Sequence, residues 1–290
     1  MELPAGAKPL SVQVSGHVMT SSKKSKVALL ESEDGSTVLK ALQQPPRGER
    51  ELNFYKKVFD PETTDSTLLQ LRPLLPKFHG CETYSEARYL RLDNLVTNFV
   101  KPCVTDLKIG AVVWGPDASE EKIARQKARY PDLVKICFQI GGIQTYYPKT
   151  KEYKHFGKDF TRSLDEEQVL TKGMPAIFDQ GLGIQYDIAE VVLRRLQPVS
   201  DWFESQTQWK FFGSSILIAY EGDPERQASY RRTDNGTFVD DMVEVKLIDF
   251  AHAWSSEGKK DENYLHGLRS LLSYLRRLVA QGKEATNNNV

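Results

Sequence analysis

Hydrophobic positions recur along this chain with two periods, two and near 3.6, and each change of period marks a new element. Val12 and Val14 alternate with polar neighbours before Gly16, a strand pattern. After the Asp34-Gly35 turn signal comes a second strand, Thr37 to Leu42. Pro45-Pro46 and Gly48 end it, and Glu49 to Phe59 sets Leu52, Tyr55 and Phe59 on one helical face. Tyr89 to Leu95 returns to strand spacing, Leu90 and Leu92 on one side, Arg91 and Asp93 on the other. Residues 11–100 therefore read as a small β-rich lobe preceded by a flexible stretch, 1–10.

Residues 101–281 read as a larger mixed lobe. Asp117-Ala118-Ser119-Glu120 is a variant capping box opening a helix to Tyr130. Ile136 to Tyr147 reads as a strand broken at Gly141-Gly142. Asp187 to Gln208 is helical but holds Pro198, expected to kink or split it. Ser214 to Tyr220 and Val243 to Phe250 are strands; between them the polar stretch Gly222 to Asp241 reads as a mobile excursion. Leu265, Leu268, Leu271, Leu272, Leu275, Leu278 and Val279 follow at helical spacing. Gly282 is expected to end that helix, leaving 282–290 as a frayed tail.

Composition narrows the function classes. The chain is 40% hydrophobic and 27% charged, enough apolar material for a sizeable core. The 39 Lys+Arg balance 39 Asp+Glu, so a dedicated nucleic-acid binder, usually basic overall, drops in rank. No apolar run approaches the ~18 residues needed to span a bilayer, and Met1 to Leu10 lacks a signal-peptide pattern. Cys81, Cys103 and Cys137 are widely spaced, which fits reduced thiols. The expectation is a non-secreted monomer of the nucleus, the cytoplasm or both.

Phosphate loops of the GxxxxGK[ST] type, GxGxxG and HExxH are all missing. Three features remain. Val245 to His252 is an apolar strand ending in Asp249, a carboxylate placed to ligate Mg²⁺ at the mouth of a cleft. Lys40 lies inside a strand, suited to nucleotide phosphates, with Glu51 on the next helix as its partner. On composition alone, a turn Asp is the better explanation of the first, and a solvent-facing Lys on a half-buried strand easily the better explanation of the second. The third feature is positive charge: Lys122, Arg125, Gln126 and Arg129 share one helix face, and Lys149, Lys151, Lys154, His155, Lys158 and Arg162 follow. One polyanion held between two basic clusters, or a solvated helix face, accounts for that pattern. Gln126 among the cations favours a ligand with hydroxyls as well as phosphates, since an amide both donates and accepts.

Pro102 to Gly110, PCVTDLKIG, fits PxxxDxKxG, the signature of the inositol polyphosphate kinase family. Further similar segments follow in the family's order: Gln13-Val14-Ser15-Gly16-His17, Ser214-Ser215-Ile216-Leu217, Tyr220-Glu221-Gly222 and Ile248-Asp249-Phe250-Ala251-His252. The resemblance covers about residues 11–280. Pro45-Pro46-Arg47-Gly48 with Arg50-Glu51-Leu52 resembles the helix entry of the family's multikinase branch, and the short segment 115–162 fits that branch's reduced inositol-binding insertion.

The resemblance implies an α+β, bilobal, protein-kinase-like (ATP-grasp) architecture and ATP and Mg²⁺ as cofactors. It implies Lys40 on the ATP phosphates, Asp93, Asn94 and Leu95 as the hinge reading adenine, Asp106 on the ribose, and Asp249 holding Mg²⁺. Lys108 would stand between the transferred phosphoryl group and the accepting hydroxyl. Lys122, Gln126, Arg129, Lys154 and His252 would grip inositol polyphosphates. Gln144 stands where the branch has Arg, Lys154 where it has Gln, and Arg129 where it has Lys, so cationic charge is kept but moved. The implied reaction is phosphorylation of inositol 1,4,5-trisphosphate at the 3- and 6-hydroxyls, with phosphoinositide headgroups as a second substrate class. A pyrophosphate-forming hexakisphosphate kinase and a silent inositol-phosphate scaffold are the rival readings.

Overall fold

Two runs of alternating side chains, each with one face apolar, build two antiparallel sheets, and helices cover what the sheets leave bare. A computed structural model describes residues 6–10, 12, 29–84, 87–233 and 240–287. The smaller lobe holds β1 (Lys8–Pro9), β2 (Leu29–Glu31), β3 (Thr37–Ala41), α1 (Arg47–Val58), α2 (Ser66–Leu71), β4 (Phe78–Tyr84) and β5 (Ala87–Asp93). Its five strands lie in the order β1-β2-β3-β5-β4. Lys8 and Pro9 pair with Glu31 and Leu30, so part of the stretch expected to be flexible at 1–10 is an edge strand. The strand expected at Val14, and the Gln13 to His17 segment, lie outside the described residues.

The larger lobe begins with β6 (Pro102–Ile109), α3 (Glu120–Arg129), α4 (Leu133–Ile136), β7 (Phe138–Tyr147) and β8 (Glu152–Phe156). It continues through α5 (Lys158–Thr161), α6 (Glu166–Gln168), α7 (Met174–Phe178), α8 (Tyr186–Ser205) and β9 (Trp209–Phe211). Then come β10 (Ser215–Glu221), α9 (Pro224–Thr233), β11 (Val243–Ile248), β12 (Ala253–Ser255) and α10 (Glu262–Asn287). The central sheet runs β11-β10-β6-β7-β8, and β9 pairs with β12. Among the described residues no helix is long and apolar enough to cross a membrane.

Several elements depart from the sequence pattern. Segment 115–162 is helical at α3, α4 and the short α5; β7 and β8 between them are sheet. Ser119, not Asp117, caps α3 by accepting from the Lys122 N–H, because Asp117 accepts instead from Arg50. Gly141-Gly142 do not break β7. Asp106 pairs with Gly142 and Leu107 with Ile140, leaving Gly141 as the extra residue of a bulge. A Cβ there would sit 3.2 Å from the Asp106 carboxyl carbon, so glycine makes room for a buried acid.

Pro198 lies inside an unbroken α8; on the solvent side of the helix, water can serve the carbonyl that Pro leaves without a donor. The supposed excursion after Gly222 contains α9, held by Gln227 donating to the Glu221 carbonyl and by Arg231 on Asp187; residues 234–239 lie outside the described ones. Gly282 does not stop α10, which runs on to Asn287. A Cβ at Gly282 would meet the Tyr186 ring at 2.4 Å, so this glycine allows close helix–helix approach.

Two arrangements tie the lobes together. Phe54 of α1 reaches into the larger lobe, its ring centroid 4.5 Å from that of Phe250 and 5.5 Å from that of Phe211. On the connector between β5 and β6, the buried Glu221 carboxylate accepts from the Val100 N–H at 2.7 Å and the Lys101 N–H at 2.9 Å.

Candidate active site

The cleft between the sheets holds an apolar slot lined by Leu29, Val38, Leu92, Val104, Leu217 and Ile248. Asp93, Asn94 and Leu95 line its connector side. The Asp93 carboxylate is 2.6 Å from His79 Nε2, and the Asn94 amide donates to the Gly35 carbonyl at 2.8 Å. Both side chains are engaged within the smaller lobe, so any base in the slot meets backbone and apolar surface there.

Polar groups converge at the inner end. Lys40 Nζ lies 2.7 Å from Glu51 Oε1 and 2.5 Å from Asp249 Oδ1. Glu51, almost fully buried, also accepts from the Phe250 N–H at 3.1 Å, so α1 holds both the lysine and the corner after β11. Asp249 takes a left-handed backbone, φ 66°, which turns the chain sharply where the apolar strand ends. Lys108 Nζ is 3.9 Å from Asp249 Oδ2 and donates to the Gly213 carbonyl and Ser215 Oγ. Burial works to raise the Asp249 pKa, but Lys40 and Lys108 outweigh it and hold it down at about 2. Burial opposes the charge on Lys40, and Asp249 and Glu51 more than restore it, raising its pKa.

Asp106 and Lys108 point to the same side of β6 as Val104, the cleft side, by strand alternation. Asp106 is fully buried there, behind the slot lining rather than on it. In the sheet, Val104 pairs with Gln144 and Gln144 with His155, so His155 shares this face. Lys154 pairs with Thr145, which donates to the Ala176 carbonyl under α7. Lys154 thus occupies the opposite face, its Nζ 3.9 Å from the Tyr147 ring centroid, and the structure does not bring it to the site.

Two cationic groups stand around the cleft, the second of them beside Lys108. In one, Lys122 of α3 meets Arg47 and Arg50 of α1; its pKa is lowered by burial, then by Arg47, Arg125 and Arg50, against Asp117. His252 belongs to this group, its pKa pushed down to about 4 by burial, then by Lys122, Arg47 and Arg50. In the other, Lys158 lies close to Arg162, Lys108 and Arg129; burial and these three cations lower its pKa against Asp106. Cations crowded until they weaken one another's charge mark a place for an anion. Gln126 is half-buried on the α3 face between Lys122 and Arg129.

Arg47, Arg50 and Ser215 are not singled out as site residues by the sequence, and Lys158 enters there only as one member of the second basic stretch. A signal existed for the first two: Pro-Pro-Arg-Gly-Glu-Arg-Glu places two arginines and Glu51 within one helical turn. Among the described residues no three His, Cys, Asp or Glu side chains gather to hold a metal. A lone Asp249 carboxylate still suits Mg²⁺, which is commonly held by one or two carboxylates together with substrate phosphates.

Known proteins share this arrangement of lobes. The inositol polyphosphate kinase family pattern matches residues 89–276. Inositol polyphosphate multikinase of Rattus norvegicus is 38% identical over 242 residues, 82% of this chain and 60% of that protein. This chain therefore spans about 60% of that relative's length. Inositol polyphosphate multikinase alpha of Arabidopsis thaliana is 28% identical over 293 residues, 95% of this chain and 97% of that one. The crystal structure of Ipk2, an inositol phosphate multikinase from S. cerevisiae in complex with ADP and Mn²⁺, superposes with a TM-score of 0.70. It shares 26% identity and covers 84% of this chain and 100% of its own. With the PxxxDxKxG strand, the Asp249 corner and the cationic flanks all on one cleft, this chain belongs to the inositol polyphosphate kinase family.

Proposed function

We propose that this chain is an ATP- and Mg²⁺-dependent inositol polyphosphate multikinase. It converts inositol 1,4,5-trisphosphate to tetrakis- and pentakisphosphate at the 3- and 6-hydroxyls, with phosphatidylinositol 4,5-bisphosphate as a second substrate. The observation that carries this reading is Asp249 lying between Lys40 and Lys108, at the junction of an apolar slot and a polycationic pocket.

Adenine fits the slot between the Val38 and Leu217 sides, with the connector backbone beside it. Lys40 binds the nucleotide phosphates, and Glu51 keeps its ammonium aimed into the cleft. Asp249 and the phosphates together hold Mg²⁺, which neutralises phosphate charge when bound. Lys108, fixed by Gly213 and Ser215, faces the developing charge on the transferred group and the accepting hydroxyl. Phosphoryl transfer through a loose transition state asks mainly for alignment and charge neutralisation, and these lysines supply both. Lys122, Gln126, Arg129 and His252, joined by Arg47 and Lys158, hold the ring phosphates. A lipid headgroup presents the same phosphate chemistry to the same cations.

The test is a substrate panel with labelled ATP and Mg²⁺, offering inositol tris-, tetrakis-, pentakis- and hexakisphosphate, with Asp249→Asn as control. Stepwise conversion of tris- to pentakisphosphate, lost in the variant, is the expected result. Label entering only hexakisphosphate moves the chain to the pyrophosphate-forming branch. Binding of inositol phosphates without transfer makes it a scaffold.

A further inference from the structure

Arg50 spans the two lobes from the first turn of α1. Its Nη1 donates to the Ala251 carbonyl at 3.0 Å and lies 3.4 Å from His252 Nδ1, while Nη2 lies 3.2 Å from Asp117 Oδ2. The guanidinium carbon stacks 3.9 Å from the Trp254 ring centroid. Four contacts from a planar group leave it one orientation.

That orientation constrains His252. A guanidinium has donors and no acceptor, so an Nδ1 facing it can only accept. Protonation at Nδ1, in the neutral tautomer or the imidazolium, would set two donors against each other. The full charge on the arginine strengthens the contact despite its length. The Nδ1 end is also packed: a Cβ at Gly115 would come within 3.2 Å of it. Among the described residues no hydrogen bond uses Nε2, the opposite end of the ring.

We propose that Arg50 is a positioning residue that locks His252 as the Nε2-protonated tautomer, so that a neutral imidazole presents an N–H donor to a substrate phosphate. This rests on the reading of His252 as a substrate contact. It goes further by assigning the proton to one atom and naming the residue that keeps it there. Burial and the surrounding cations, which depress the His252 pKa, work in the same direction by disfavouring the imidazolium.

The tautomer is read directly by two-bond proton–nitrogen correlation on histidine-labelled protein, with His252→Gln assigning the signal. The expected wild-type pattern has the proton on Nε2; a proton on Nδ1 overturns the proposal without any further variant. In Arg50→Leu, folded as judged by its thermal transition, His252 is expected to become a tautomeric mixture. The KM for inositol trisphosphate should rise about tenfold, the loss of roughly one oriented hydrogen bond, while the KM for ATP holds. An unchanged tautomer in Arg50→Leu would sink the idea. Arg50→Lys keeps the charge but not the fork, and should give the same mixture; a single Nε2-protonated form there overturns the claim as well. If wild type transferred no phosphate, the proposed function would fall, and the nuclear resonance result would still decide this inference by itself.

Discussion

Lys40 and Asp249 stand 209 positions apart in the chain and meet at 2.5 Å across the cleft. The contact joins the middle of a strand in one sheet to the turn ending a strand in the other. It exists only when both lobes are folded and docked, so this charged cluster and the interlobe interface are formed by the same atoms.

Glu51 is the buried partner that keeps this pair aligned. Replacing it with leucine leaves the Lys40 ammonium facing an apolar neighbour and the Phe250 N–H without an acceptor. Removing one partner of a buried pair costs about 3–5 kcal/mol. The Glu51→Leu urea midpoint should fall accordingly; an unchanged midpoint would show that Lys40 and Asp249 suffice alone.

Asp249→Asn should abolish Mg²⁺-dependent transfer, a loss of at least about 100-fold by analogy with removing one charge-stabilising group, and should lower the thermal transition without unfolding the chain, because Lys40 and Lys108 lose a shared counter-charge. Retention of more than a tenth of the wild-type rate would move the metal-holding role elsewhere.

The His252 imidazole should make stability depend on pH in a predictable direction. Its folded pKa, about 4, lies below the ordinary value of 6.5, so between these values the unfolded chain binds more protons. Its contribution is present above pH 6.5 and is lost as pH falls toward 4. Denaturant midpoints measured across that window should decline in wild type and decline less in His252→Gln. Parallel curves would place the imidazole in a more solvated setting.

Lys122→Ala combined with Arg129→Ala should raise the KM for inositol trisphosphate by more than tenfold and leave that for ATP within twofold. Lys154→Ala should change neither, because its side chain stacks on Tyr147 behind the sheet. A Lys154→Ala variant that lost inositol phosphate affinity would mean the β7–β8 register differs from Thr145↔Lys154.

Gly267 offers a test of how the lysine strand is fixed. A Cβ there would lie 2.4 Å from both the Cys137 carbonyl oxygen and the Gly110 nitrogen, backbone atoms that cannot swing aside. Gly267→Ala should reach or exceed the upper end of the ~1–3 kcal/mol typical of overpacking, and calorimetry should show a lower transition temperature.

Much of this was legible in the sequence where one signal was local and strong. The α10 leucines, the β11 alternation and the PxxxDxKxG strand each carried their own period or spacing. The pairing of Lys40 with Glu51 was readable as one strand meeting the next helix. Lys154 misled because a basic run in sequence does not stay on one side of a strand: successive side chains point to opposite faces, and register alone decides which. Gly141 and Gly282 looked like breakers because a glycine reads the same whether it frees the backbone or lets a neighbour come close. Arg47 and Arg50 went unassigned because their partners, Lys122, Asp117 and His252, arrive from two other segments, the start of α3 and the corner after β11.

The Glu221 clasp has a mechanical consequence. By fixing the amides of Val100 and Lys101 it makes those residues travel with the larger lobe. Asn94, bonded to Gly35 and Ser36, travels with the smaller one. Any rocking of one lobe against the other is therefore taken up between Leu95 and Phe99, by roughly ten backbone torsions. Opening of the cleft turns on that short pivot, while the Val100 and Lys101 amides stay held by Glu221.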